Sequence, residues 1–318
     1  MITNHRFLAK EMESHSHPFV SVIIPVYNDA ERLKLCLEAL ENQTYPKTGY
    51  EVIVVDNASD EAADIKGVVA QFGQAIAAYE STPGSYAARN KGISLAKGEV
   101  IAFTDADCIP ASDWIEKGVQ HLLNTPNCGL VAGEIKIFFK NPERLTPVEL
   151  FEKVTAFEQK DYLENYKYGA TANLFTLKTV IERVGSFNSS LKSSGDVEWG
   201  QRVAAFNYQQ VYAANACVAH PARYSFKQLY KRTTRIVGGF YDLHWNKNHL
   251  ILQRNRILIQ ALLADLLPPL NFVVKTFRDI RLKGIEEKLR VSLVMFFVRY
   301  VSAWERIRLM IGGASIRE

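Results

Sequence analysis

The chain has 318 residues, of which 47% are hydrophobic and 23% charged. That balance describes a globular protein with room for one large or two ordinary cores, and it excludes a disordered chain. The net charge of +4 conceals an asymmetry: residues 1–220 carry −7 and residues 221–318 carry +11, as expected for a ligand-binding body followed by a tail that meets something anionic.

In chain order, residues 1–18 read as an N-terminal tail without the apolar core of a signal peptide, so secretion is not expected. Val20-Ser21-Val22-Ile23-Ile24 is a β-branched run stopped by Pro25, the mark of a buried strand. Asn28 with Glu31 three residues on resembles a capping box, and Leu33, Leu37 and Leu40 then repeat at helical spacing. Glu51–Val55 is the next strand, running into the polar loop Asp56-Asn57-Ala58-Ser59-Asp60. Ile65, Val68, Val69 and Phe72 mark a second helix, and Ala75–Tyr79 a weaker strand. Pro83-Gly84-Ser85 opens a third helix, which Gly98 is expected to close. Val100–Phe103 is a further strand. Strands and helices alternating at this spacing predict a parallel sheet covered on both faces. Neither a G-x-G-x-x-G fingerprint nor a P-loop follows the first strand.

Asp105-Ala106-Asp107 follows that last strand, so its carboxylates are expected at the carboxyl end of the sheet, where open α/β sheets bind ligands. Two hard oxygen ligands there suit Mg²⁺ or Mn²⁺ carrying a substrate diphosphate, and a solvated acidic turn is the other reading. Beyond residue 130 the rhythm changes. Glu134–Phe139 reads as a strand, and Leu150, Phe151, Val154 and Phe157 as one face of a helix. A helix is expected to end at Gly185, and another over Asp196–Phe206 pairs Glu198 with Arg202. Cys36, Cys108, Cys128 and Cys217 are scattered without a C-x-x-C pair, so neither a zinc site nor a disulfide framework is indicated, as suits a reducing cytosol.

Five segments, in order, carry a resemblance: VSVIIPVYNDAERLKLCLEAL (20–40), EVIVVDNASDE (51–61), GSYAARNKGISLAKGEVIAFTDADC (84–108), GATANLFTLKTVIERVGSFN (169–188) and SGDVEWGQRV (194–203). Together they resemble the family 2 glycosyltransferases, inverting enzymes of the GT-A fold. The resemblance implies an α/β fold: a Rossmann-like, mostly parallel sheet flanked by helices, here with a C-terminal helical extension. Its parts would be the tail 1–18, a nucleotide-sugar-binding half at 19–133, an acceptor-binding half at 134–225 and a basic amphipathic helical region at 226–318.

The resemblance further implies a hexosyltransferase-type enzyme with a nucleotide-sugar lying across the carboxyl edge of the sheet. Pro25, Tyr27 and the backbone near Asn28 would border base and ribose. Asp56 would contact the nucleoside, or else simply cap a turn. Arg89 would reach base or diphosphate, a surface position being the alternative. Asp105 would contact the ribose, and Asp107, with His220, would hold Mn²⁺ or Mg²⁺ on the diphosphate; His220-Pro221 also reads as a structural turn. Asp196 would be the general base, although an ordinary helix cap explains an Asp there too. Gly195 departs from the family pattern, which often has an acid at that position. Glu198 would orient the acceptor or pair with Arg202, and Trp199 would stack on a sugar or fill the core. The Q-x-x-R-W signature of processive synthases is missing, since Gln228-Leu229-Tyr230-Lys231-Arg232 resembles it only faintly; a single addition is therefore expected.

Ile257–Val274 and Leu289–Met310 are apolar stretches, the first interrupted by Asp265 and Pro268-Pro269, the second holding an apolar run from Val291 to Val298 flanked by Arg290 and Arg299. Neither gives the about 20 uninterrupted apolar residues of a spanning helix. Helices lying in a membrane interface fit residues 250–318, and a subdomain packed on the body or on a second protomer is the alternative. Nucleic acid is not an expected partner, because the positive charge is interleaved with aliphatics. The donor expected is a UDP-sugar, with GDP- and dTDP-sugars open, and the acceptor a glycan or lipid-linked precursor, as in polysaccharide biosynthesis. The expected location is the cytoplasm, at the inner face of the membrane where the tail binds it. Two other readings stay open: a sugar nucleotidyltransferase, although 25–32 lacks the Gly-rich basic loop it needs, and a non-catalytic, membrane-associated nucleotide-sugar-binding module.

Overall fold

The structure is a computed structural model that describes residues 17–246 and 251–317. Its centre is β1 (Val20–Val26), buried along its whole length and paired in parallel with both β2 (Tyr50–Asp56) and β4 (Val100–Thr104). β3 (Ala75–Tyr79) adds in parallel to β2. A strand buried on both faces reads as a continuous apolar run, as β1, β2 and β4 do, whereas β3 at the sheet edge is partly exposed. Register places Val26 opposite Asp56 and Ile23 opposite Phe103, so the carboxyl ends of β1, β2 and β4 meet at one edge.

Beyond β4 the sheet is mixed, with the order β3-β2-β1-β4-β7-β6-β8-β5. β7 (Asn173–Leu177) runs antiparallel to both β4 and β6 (Cys128–Phe138); β8 (Gln209–Pro221) is parallel to β6, and the two-residue β5 (Ile109–Pro110) is antiparallel to β8. The strand expected at Glu134 begins at Cys128, where Leu130, Val131 and Ala132 are fully buried.

Side-chain alternation divides the core between two faces. Val22, Ile24, Val52 and Val54 meet α1 (Ala30–Glu41), α2 (Ile65–Val69) and α4 (Trp114–Asn124) through Leu33, Leu37, Ile65 and Trp114. Ile23, Ile53, Val55 and Phe103 face α3 (Ser85–Leu95), α7 (Lys178–Val184) and α8 (Gly195–Ala205) through Ala88, Ile181 and Trp199. α5 (Pro147–Thr155) opens with the capping box Thr146–Glu149 and is followed by α6 (Gln159–Tyr166).

Two local expectations are corrected. The capping box at Asn28 does not form: Asn28 lies at φ +51°, and its amide exchanges hydrogen bonds with Asp60 at 2.9 and 2.7 Å. Asp29 stands at the start of α1 instead and binds Arg32. Tying β1's loop to that of β2 outweighs a local cap. Nor does Gly98 close α3, which ends at Leu95. A Cβ at 98 would lie 2.5 Å from the Ser21 nitrogen, so this glycine allows the chain to re-enter the sheet beside β1.

The basic region forms α9 (Phe226–Asn246), α10 (Ile251–Leu266), α11 (Leu270–Arg278) and α12 (Gly284–Met310). α12 packs on α5, α9, α10 and α11, sharing a third core in which Val291 and Val294 meet Val148, Phe151 and Leu229. Its opposite side leaves Ile285, Leu289, Leu293, Phe296, Tyr300 and Trp304 exposed at spacings of three and four residues, a continuous apolar stripe. Among the described residues no single helix is long and apolar enough to cross a membrane. Arg256–Leu266 with Leu270–Arg278 passes that test only as a pair bent by 53°.

Candidate active site at the carboxyl edge of the sheet

A cleft of about 680 Å³ opens where β1 and β4 end, with Tyr27, Arg89, Asp105, Asp107, Asp196 and His220 on its walls. Pro25 lines it as well, and Tyr27 is 59% exposed there. Arg89, on α3, is 4% exposed and donates Nη2 to Asp105 Oδ1 at 2.5 Å. This is a charge-assisted bond between a buried cation and a half-buried anion. The Arg89 guanidinium also lies 5.7 Å from the Tyr86 ring centre.

Asp107 accepts from Arg32 Nη1 at 3.2 Å and places Oδ1 3.6 Å from His220 Nε2. Burial pushes the Asp107 carboxyl above the usual range; His220 and Arg32 oppose that rise, and Asp105 adds to it. β5 brings these partners together: Ile109, two residues past Asp107, pairs with Ala219, the residue before His220. His220 Nδ1 is 2.8 Å from the Pro221 carbonyl. A carbonyl only accepts, so Nδ1 carries a proton, and Nε2 is the ring nitrogen turned toward Asp107. The Phe157 ring, 4.7 Å away between centres, packs on the imidazole.

Potential ligand atoms of Asp107, Cys108 and His220 lie within 4.8 Å of one another. A carboxylate and a neutral imidazole nitrogen fit a Mn²⁺ or Mg²⁺ ion, and 3.6 Å suits two ligands of one cation better than a direct hydrogen bond. Cys108 is fully buried, and burial with Asp105 and Asp107 nearby pushes its thiol far up, which leaves a neutral, poor ligand.

Asp196 sits in the first turn of α8. Its Oδ1 accepts from the Tyr86 hydroxyl at 3.3 Å and from the Val197 N–H at 3.0 Å. Burial raises its pKa, and the Val197 N–H, Arg89 and Arg235 draw it back. Burial and the Asp196 charge push the Tyr86 phenol upward, so it stays protonated as the donor. Gly195 is explained sterically: a Cβ there would lie 2.7 Å from the Tyr86 ring. Where the family pattern often has an acid, this chain has a tyrosine from α3. A chain of contacts thus runs from Asp105 through Arg89 and Tyr86 to Asp196.

Three candidates lie off the cleft wall. Asp56 accepts from Ser59 N–H at 3.0 Å, closing the turn that presents Asn57 and Ala58 to the cleft. Glu198 pairs with Arg202 at 2.7 Å, and that arginine also donates to the carbonyls of Val184 and Ser186. Trp199 is fully buried and donates to the Gly185 carbonyl at 2.9 Å, a core role.

Sequence reasoning missed Arg32, Tyr86, Lys192, Arg232, Arg235 and Arg317, all of which line the cleft. The charge asymmetry was a signal for part of this set, since Arg232, Arg235 and Arg317 belong to the basic region yet face the acidic body. Burial draws the Arg232 guanidinium down, with Glu152 opposing.

The sequence profile described as Glycosyl transferase family 2 matches residues 21–189. Glycosyltransferase AglE of Haloferax volcanii is 37% identical over 293 residues, covering 90% of this chain and 92% of that protein. Probable glycosyltransferase YdaM of Bacillus subtilis is 26% identical over 254 residues, covering 76% of this chain and 60% of its own length. Among solved structures, the mannosyltransferase PcManGT from Pyrobaculum calidifontis, in complex with GDP-Man and Mn²⁺, superposes with a TM-score of 0.60 at 18% identity, covering 96% of this chain and 94% of that one. That likeness bears out the GT-A-type fold. With a family profile spanning more than half of its length and a full-length relative, the chain belongs to glycosyl transferase family 2.

Proposed function

We propose that this glycosyltransferase catalyses inverting, divalent-metal-dependent transfer of a sugar from a nucleotide-sugar to an acceptor hydroxyl. The observation that carries the reading is the position of Asp196, a partly buried carboxylate of raised pKa on the same cleft as Asp105, Asp107 and His220. Asp196 takes the proton of the acceptor hydroxyl as its oxygen bonds to the anomeric carbon and the bond to the departing phosphate oxygen breaks. The Tyr86 hydroxyl orients that carboxylate. A raised pKa makes Asp196 a better proton acceptor than an ordinary carboxylate. Asp107 and His220 would hold Mn²⁺ or Mg²⁺, which when bound supplies Lewis-acid stabilisation of the leaving diphosphate.

Asp105, held by Arg89, meets the ribose, while Pro25, Tyr27 and the Asp56 turn border the nucleoside. Lys192, Arg232 and Arg235 lend positive charge to the cleft in which the leaving group gains negative charge. The acceptor is a glycan or a lipid-linked precursor, reached from a membrane surface on which the apolar stripe of α12 rests. The exposed side chains of that stripe and the +11 charge of residues 221–318 support this. A thermal-shift screen of UDP, GDP and dTDP, each with and without Mn²⁺, tests the reading. Metal-dependent stabilisation by one nucleotide is expected; no response to any of them would remove the donor assignment.

A further inference from the structure

After α12 the chain turns at Gly312, at φ +100°, and follows a fixed path back to the cleft. The Gly313 N–H donates to the Arg308 carbonyl at 2.9 Å, and Arg308 Nη2 donates to the Ala314 carbonyl at 2.6 Å. Ser315 is 8% exposed; its hydroxyl donates to Asp242 on α9 at 2.6 Å, and its carbonyl accepts from Lys192 at 2.7 Å. Ser315 also lies against Gly238, where an added Cβ would approach its side chain to 3.0 Å. Arg317 then donates Nη1 to the Pro83 carbonyl and Nη2 to the Ser189 carbonyl at 3.5 Å. Residues 313–317 therefore bridge α9, the loop before α8 and the turn that opens α3.

The Pro83 turn is part of the cleft wall. Asn57, at the end of β2, donates to the Glu80 and Thr82 carbonyls and accepts from the Gly84 N–H at 2.6 Å. Arg317 lines the cleft alongside Asn57, Pro83 and Gly84, and its buried Nε has no hydrogen-bond partner among the described residues. Ser315 anchors this strap through both its hydroxyl and its carbonyl. A guanidinium carries five N–H donors in a planar fork suited to phosphate, and here part of that fork is unmatched by protein acceptors.

We propose that Arg317 is a donor-binding residue whose guanidinium hydrogen-bonds the diphosphate of the nucleotide-sugar. The segment 313–317 thus belongs to the donor site, and its anchorage on α9 ties the helical region to donor occupancy. This rests on the nucleotide-sugar reading above.

Isothermal titration of UDP and GDP in the presence of Mn²⁺, on the full chain and on Arg317→Ala, Arg317→Lys and Ser315→Ala, tests it. For whichever nucleotide the unmodified chain binds, Arg317→Ala should weaken affinity about 10-fold or more, the worth of one charge-assisted hydrogen bond. Arg317→Lys should recover part of that loss, and Ser315→Ala should weaken binding several-fold by freeing the strap. Binding of the corresponding nucleoside, which lacks phosphate, should be unchanged. Unaltered nucleotide affinity in Arg317→Ala would overturn the proposal, and a lowered melting temperature with unaltered affinity would reduce the segment to a structural strap. If the unmodified chain binds neither nucleotide with Mn²⁺, the donor reading itself fails, a result separate from failure at Arg317 alone.

Discussion

The Tyr86 hydroxyl stands 3.3 Å from Asp196 Oδ1, and the Tyr86 ring fills the space that a side chain at position 195 would need. One residue thus both orients the candidate base and dictates the glycine before it. Tyr86→Phe keeps the ring and removes the hydrogen bond, so kcat should fall about 10- to 100-fold, the scale of one hydrogen bond to a charged group, with donor KM nearly unchanged. Gly195→Ala should lower stability by about 1–3 kcal/mol through overpacking, measured by urea denaturation, and lower kcat as well. A Gly195→Ala variant of full stability and activity would show that the ring does not constrain this position.

Asp196→Asn separates chemistry from folding. Burial raises the folded-state pKa of Asp196, so the native state keeps that proton to higher pH than the unfolded chain does. Its contribution to stability therefore declines as pH rises from the unfolded carboxyl value of about 3.9 through the raised folded value. Asparagine removes this cost, so the variant's melting temperature at pH 7 should equal or exceed that of the unmodified chain, read by calorimetry. In the unmodified enzyme the acid limb of kcat should lie above the ordinary carboxylate range.

Metal dependence should follow the two ligands. Chelation by EDTA should abolish transfer, and added Mn²⁺ should restore it. His220→Gln should raise the Mn²⁺ concentration needed for half-maximal activity about 10- to 100-fold, the range seen when metal-site interactions are removed. Asp107→Ala should leave no metal-dependent nucleotide binding in a titration.

The Arg89–Asp105 pair should be asymmetric to break. Asp105→Ala leaves the Arg89 guanidinium buried without its anion, and should cost about 3 kcal/mol in urea denaturation. Arg89→Met leaves a carboxylate that is one-third exposed and can turn to water, so its cost should be smaller. The reverse order would contradict the burial assigned to the pair.

The α12 stripe is testable by flotation with anionic vesicles. Replacing Phe296 and Trp304 together by Glu should shift the protein from the vesicle fraction to the soluble one. The melting temperature should hold, because both side chains lie on the exposed side. Equal flotation of both proteins would leave the stripe without a membrane role.

Much of the parallel half was legible because β1, β2 and β4 are buried on both faces and leave uninterrupted apolar runs. Asp105 and Asp107 were found at their strand end for the same reason. The mixed half was less legible. β7 inserts between β4 and β6, a pairing no local pattern encodes, and β6 begins six residues before its expected start because Gly129 and Gly133 break up the strand signal of its first half. At the site, Tyr86 looks like any aromatic on a helix until α8 is laid beside α3. The link between Asp107 and His220, 113 positions apart, comes from the brief pairing of β5 with β8. Asn28 misled because its cap-like spacing serves a contact with Asp60, one loop away.

The most direct test of the central claim is the single-turnover rate of sugar transfer by Asp196→Asn at saturating donor and Mn²⁺, with nucleotide affinity measured on the same preparation. A fall of about 10²–10⁴-fold, the contribution of a positioned general base, with affinity preserved is the predicted result. Transfer at the unmodified rate would contradict the assignment of Asp196 as the base.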